Sequence, residues 1–175
     1  MLKRHDKNVL KRKLKKIKFL ILDVDGVLTD GKLIYNSEGI ELKAFDVKDG
    51  YGLVRLRESG VKIGIITAKN SRIIEVRAKD LGIDELYQNI PDKLNAYEEI
   101  KLKYKLTDEE IAYIGDDIPD LGVLKRVGLS IAVNDAIDEV KKVADYVTEK
   151  KGGNGAVREV TDLIIEARGR MLDAS

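Results

Sequence analysis

Short apolar runs alternate along this chain with longer segments whose apolar positions recur at helical spacing. The clearest runs are Phe19–Leu22, 61–66, 111–114 and 129–133, with weaker ones at 86–90 and 146–148. Continuous apolar runs of this length suit strands covered on both faces. Between them, the spacing predicts helices over 53–58, closed by Gly60, and over 71–81, with Ser71 as N-cap and Gly82 past the end. Further helices are predicted from Pro91 and Asp92 to about Tyr104, up to 124–127, over 136–143 and over 156–168, and Thr107 with Glu110 forms a capping-box signature. Strands alternating with such helices predict an α/β fold, a doubly wound, Rossmann-like parallel sheet. One segment breaks the alternation. Residues 32–45 place apolar and β-branched residues on either side of Asn36-Ser37-Glu38-Gly39, which predicts a β-hairpin inserted straight after the first strand.

Composition narrows the class. At 175 residues the chain suits one domain with a sizeable core. The absence of cysteine excludes disulfides, thiolate metal sites and cysteine nucleophiles. No run approaches a membrane span or a secretory h-region, so the expected compartment is the cytoplasm and no membrane partner is expected. The total formal charge of +1 hides an asymmetry, with +8 in residues 1–18 and −7 in residues 19–175. The first segment reads as a basic lead-in helix whose Leu10, Leu14 and Ile17 form a stripe able to dock on the domain over 19–175. The acidic body does not suggest nucleic-acid binding.

The candidate chemistry lies where strands end. Asp23 and Asp25 follow the first run, with Gly26 freeing the chain to turn away, and ligands of open α/β sheets sit beyond the carboxyl ends of strands. Thr67 ends the second buried run, Lys93 starts a helix, and Asp116, Asp117 and Asp120 follow the strand at 111–114. Taken singly, these also read as strand-end, surface and N-cap residues. Together they fit phosphoryl transfer. Mg2+ takes oxygen ligands and keeps several waters, so Asp23, Asp116 and the Asp25 carbonyl suffice beside a substrate phosphate. A carboxylate attacking phosphorus divides one displacement into two. A second acid, Asp25, protonates the leaving alkoxide and later takes a proton from water. Thr67 and Lys93 suit the equatorial oxygens. There is no Gly-x-x-x-x-Gly-Lys-Ser/Thr loop, and the sole histidine, His5, lies in the basic arm, away from any recognisable triad.

In order and type, Asp23-Val24-Asp25-Gly26, Thr67, Lys93 and Gly115-Asp116-Asp117-x-x-Asp120 resemble the motifs of the haloacid dehalogenase superfamily. The segments at 41–52, 113–117 and 155–160 are similar to a small capless subfamily of sugar-acid phosphatases, over nearly the whole chain from Phe19 to about Arg168. The resemblance implies Asp23 as nucleophile and metal ligand, Asp25 as acid/base and carbonyl ligand, Asp116 as the other ligand, and Thr67 and Lys93 on the phosphate. It implies a phosphorylated sugar acid as partner, met by Asp25, Asp46, Val47, Lys48, Asp49, Gly50, Lys69, Arg77 and Lys93. It also implies a homotetramer built through the hairpin, with active sites closed by a neighbouring subunit and the loop at 151–155 as a candidate gate. The implied substrate is an eight-carbon sugar-acid 8-phosphate of lipopolysaccharide inner-core synthesis. Departures from the subfamily pattern fall at Lys69, usually Arg, at Asn154, usually Arg, and at Asp46, often Asn. Lysine replaces a bidentate fork by a point charge, which keeps a nine-carbon sialic-acid-type 9-phosphate as the alternative. From another class, a receiver-like phospho-accepting switch also uses Asp, Thr and Lys at strand ends. Asp25 argues against it, because an acid two residues after the nucleophile hastens loss of the phosphoryl group that a switch must retain.

Overall fold

The computed structural model describes residues 7–169, so His5 and the start of the basic segment lie outside the described residues. Six parallel strands form one sheet in the order β5-β4-β1-β6-β7-β8. They are β1 (Phe19–Leu22), β4 (Lys62–Ile66), β5 (Glu85–Tyr87), β6 (Ile111–Gly115), β7 (Leu129–Ala132) and β8 (Tyr146–Val147). The central β1 is buried at all four residues, as a strand covered on both faces must be. After β1 the chain fills one side of the sheet, then crosses back to fill the other. The strand order therefore reverses at β1, where open α/β sheets form their ligand crevice. In register, Leu22 pairs with Ile65 and with Ile114, so the three central strands end nearly level. Asp23, Thr67 and Asp116 leave the sheet at one edge.

The hairpin is present as β2 (Ile34–Tyr35) and β3 (Glu41–Leu42), paired antiparallel and separate from the main sheet. The remaining elements are α1 (Lys7–Lys16), α2 (Val47–Glu58), α3 (Arg72–Leu81), α4 (Lys93–Tyr104), α5 (Leu121–Leu124), α6 (Asp138–Val143) and α7 (Ala156–Ala167). Helix α1 lies on the domain through Leu14, with Ile17 just past its end, both buried, each contributing about 1.5–3 kcal/mol by leaving water. Its lysines pair with the body, Lys13 with Asp145 and Lys16 with Glu109 at 2.6 Å each.

Several boundaries differ from the pattern. Helix α2 starts at Val47, not Leu53, capped by Asp46, whose carboxylate accepts from the Lys48 and Asp49 amides at 2.6 and 3.2 Å. Gly50 and Gly52, ahead of the predicted helix, lie inside it, at positions where neighbours leave no room for a side chain. A Cβ on Gly50 would stand 2.4 Å from an Arg77 guanidinium nitrogen, and one on Gly52 2.4 Å from the Thr161 hydroxyl of α7. The helix expected up to 124–127 ends at Leu124, since Gly128 must pass against the Glu109 backbone, where a Cβ would stand 2.4 Å away. Strand β5 stops at Tyr87 rather than Ile90, because Asn89 adopts a left-handed conformation and turns the chain. Helix α6 starts at Asp138 rather than at residue 136, and β7 and β8 each end one residue early.

Candidate active site

The turn after β1 is pinned from both sides. Val24 and Val27 are fully buried, and the Val24 carbonyl accepts from the amides of Val27, Leu28 and Thr29. Gly26, at φ +86°, lets the chain reverse, and a Cβ there would stand 2.0 Å from an Asp116 carboxylate oxygen. Gly152 and Gly153 press on the same turn. A Cβ on Gly152 would stand 1.7 Å from the Gly26 carbonyl oxygen, and the Gly153 amide donates to the Val27 carbonyl at 2.9 Å. The glycine-rich loop, the candidate gate, thus packs against the turn after β1 in this structure.

Asp23 accepts from the Val24 amide at 2.7 Å through Oδ1, while Oδ2 stands 2.9 Å from Lys93 Nζ. Lys93, at the first position of α4, is 2% exposed and also donates to Asp120 Oδ1 at 2.7 Å. The fully buried Tyr113 hydroxyl donates to the same oxygen at 2.6 Å. Asp120 Oδ2 accepts from the amides of Asp116 and Asp117 at 2.8 and 3.2 Å. Both Asp120 oxygens are therefore spent on holding Lys93 and the turn after β6. Gly115 makes room for this carboxylate, since a Cβ there would stand 2.6 Å from it.

Asp116 differs. Its Oδ1 is buried without a hydrogen-bond partner. Carboxylate oxygens of Asp23, Asp116 and Asp120 lie within 4.8 Å of one another, facing the one ammonium of Lys93. Burial, then the charges of Asp23 and Asp120, push the Asp116 carboxyl up to about 8. Burial also raises Asp23, against the lowering pull of Lys93. For Lys93 itself, burial acts to lower the pKa, but Asp23 and Asp120 outweigh it and hold the ammonium charged. An orphaned buried oxygen among crowded carboxylates fits a hard divalent cation. Because Asp120 is already saturated, Asp23 and Asp116 are the side chains able to hold one.

The pH dependence of stability follows. Between about pH 4, where a free carboxyl ionises, and about pH 8, the folded state binds more protons than the unfolded one at Asp116. Stability contributed by this group therefore falls as pH rises. Asp49, pushed up to about 6 by burial, adds a slope of the same sign at the acid end. Chelator-treated protein is expected to melt lower at pH 8 than at pH 5, and D116N to flatten that slope; a melting temperature that rises over this range would contradict it.

The other predicted residues fall in three places. Thr67 is buried at the end of β4, and its hydroxyl oxygen accepts from the Lys69 amide at 3.3 Å. Asp25 Oδ2 lies 3.5 Å from Lys69 Nζ, and Oδ1 lies 2.5 Å from Lys43, a residue that sequence reasoning missed. Val47 and Lys48 are exposed at the start of α2. Asp49 is buried and turned away, accepting from the amides of Gly155 and Arg158 at 3.3 and 2.8 Å and so capping α7. Arg77 lies over the Phe45 ring at 5.4 Å and reaches the Asp46 carbonyl at 3.5 Å, propping the corner at 45–50. Asp23, Lys93, Asp116 and Asp120 are thus brought together, with Asp25 and Lys69 beside them, whereas Asp46, Asp49, Gly50 and Arg77 shape the flanking corner. Tyr113 carried no sequence signal, being one apolar-run residue among others. The Glu41-Leu42-Lys43 alternation was the available sign of Lys43.

Comparison with known proteins agrees with this geometry. The haloacid dehalogenase-like hydrolase family model matches residues 63–160. A 3-deoxy-D-manno-octulosonate 8-phosphate phosphatase, KdsC, from Yersinia pestis is 48% identical over 91% of this chain and 85% of its own length. This chain belongs to the haloacid dehalogenase-like hydrolases. It is an enzyme of their phosphatase branch. Among solved structures, the phosphatase of that name from Moraxella catarrhalis, in complex with magnesium, phosphate and KDO, is 45% identical, with a TM-score of 0.91 over 94% of both chains. A cobalt-bound relative from Haemophilus influenzae is 39% identical, with a TM-score of 0.88 over 93% of this chain and 96% of its own.

Proposed function

We propose that the chain hydrolyses 3-deoxy-D-manno-octulosonate 8-phosphate to the free sugar acid and phosphate, in the cytoplasmic synthesis of the lipopolysaccharide inner-core sugar. The observation that carries this reading is the pair Asp23 and Asp25 at the β1 tip, the first ion-paired to buried Lys93 and the second on the open side beside Lys69. An Asp23 oxygen bonds to phosphorus as the phosphorus–oxygen bond to the sugar breaks, and Asp25 gives its proton to the departing alkoxide. Water then attacks the aspartyl-phosphate, Asp25 takes its proton, and phosphate leaves with Asp23 restored. Lys93 and the Thr67 hydroxyl meet the equatorial oxygens, where charge is spread in the transition state. Asp23, Asp116 and the Asp25 carbonyl would hold Mg2+, which offsets the repulsion between Asp23 and the phosphate dianion. In this reading Val47, Lys48 and Lys69 meet the sugar acid, and Asp46, Asp49, Gly50 and Arg77 set the segment that presents them.

The hairpin supports the assembly. Leu33, Ile34, Tyr35, Ile40 and Leu42 are all about half exposed on a two-stranded ribbon, which is marginal on its own. A homotetramer that buries these ribbons, with a neighbour closing each active site, accounts for both the ribbon and an open strand-tip edge. Among the described residues no helix is long and apolar enough to cross a membrane.

The test is phosphate release with Mg2+ from the eight-carbon 8-phosphate and from a sialic-acid 9-phosphate. A kcat/KM preference of at least about 100-fold for the former, about 2.7 kcal/mol of differential transition-state binding, is expected. Equal or reversed values would assign Lys69, Asp46 and Asn154 to the nine-carbon substrate. Persistent phosphorylation of Asp23 by a small phosphodonor without turnover would favour the switch.

A further inference from the structure

Lys43 follows β3 at the base of the hairpin, yet its side chain is only 1% exposed. Its ammonium reaches Asp25 Oδ1 at 2.5 Å and Glu41 Oε1 at 3.0 Å. The other Asp25 oxygen, Oδ2, has only the longer 3.5 Å approach of Lys69, whose side chain is 44% exposed. One oxygen of this carboxyl group is therefore fixed by a buried cation and the other faces the open edge. Asp25 otherwise stands on a turn, directly before a glycine at φ +86°. We propose that Lys43 is a positioning residue: by holding Oδ1, it presents Oδ2 as the oxygen that gives the proton to the leaving alkoxide. The hairpin thus serves catalysis as well as assembly. Lys43 touches neither phosphorus nor the leaving oxygen and acts through Asp25.

The inference rests on the hydrolysis proposed above, and its test separates the two. General-acid help matters for an alkyl leaving group, whose alkoxide is strongly basic, and hardly for p-nitrophenolate, which leaves without a proton. In a reaction through a covalent intermediate, kcat/KM reports the steps up to departure of the leaving group. Wild type and K43M are compared on the sugar-acid 8-phosphate and on p-nitrophenyl phosphate with Mg2+. We expect K43M to lose about 100-fold in kcat/KM on the former, the lower end of what general-acid assistance supplies, and less than about 3-fold on the latter. Both constants come from one preparation, so their ratio cancels any difference in the folded fraction. K43R, which keeps a cation at the same place, is expected to restore most of the ratio. Equal losses on both substrates would overturn the positioning role while leaving the hydrolysis standing. A wild type inactive on both would overturn the hydrolysis and this inference with it.

Discussion

Replacing Asp23 by Asn is expected to lower kcat/KM for the sugar-acid 8-phosphate by about 10⁵- to 10⁶-fold, the scale on which loss of a nucleophile acts. Asn keeps the volume and an oxygen for the Val24 amide, so the turn after β1 retains its anchor. What it removes is the anionic oxygen proposed above to bond to phosphorus. The same change takes one negative charge from a cluster in which Asp23, Asp116 and Asp120 share the single ammonium of Lys93. Chelated D23N is accordingly expected to melt higher than chelated wild type at pH 8, where that crowding is greatest. Loss of activity with a gain in stability separates a functional carboxylate from a structural one. Retention of more than about 1% of wild-type kcat/KM would place the nucleophile elsewhere.

Replacing Lys93 by Met is expected to damage both properties. Its ammonium lies 2.9 Å from Asp23, 2.7 Å from Asp120 and 3.3 Å from the Tyr113 hydroxyl, and Lys93 and Asp120 are both buried. Removing one partner of a buried ion pair leaves an uncompensated charge and costs about 3–5 kcal/mol. For a chain of this length that corresponds to a melting temperature lower by roughly 10 °C. Loss of a preorganised cation from the phosphoryl site is expected to cost a further factor of about 10²–10³ in kcat. The K93M/D120N double variant distinguishes the two effects. Neutralising Asp120 is expected to recover much of the melting temperature and none of the activity. Recovery of activity would make Lys93 a structural residue only.

The parts of the site legible in the sequence are those built locally. A four-residue apolar run followed by Asp-x-Asp-Gly specifies a buried strand, its functional end and the turn beyond it, and the structure places Asp23 at the strand reversal. Contacts that depend on how separated elements meet were not legible. Lys43 is 18 residues from Asp25, and their pairing depends on how the hairpin folds back over the strand tip. Asp49 was itself expected to meet the sugar acid, but its carboxylate is taken by partners 106 and 109 residues away, at the start of α7. Gly50 and Gly52 were read as preceding the helix that contains them, and what requires glycine there is the close approach of α3 and α7. In each case packing between distant elements outweighed a local propensity.

The most direct test of the account is an acid quench of a single turnover with the sugar-acid 8-phosphate and Mg2+, followed by peptide mass analysis. The expected result is one phosphoryl group on the peptide carrying Asp23, formed before phosphate is released and absent in D23N. Phosphate release with no phosphorylated peptide, or with the group on another residue, would contradict Asp23 as the nucleophile.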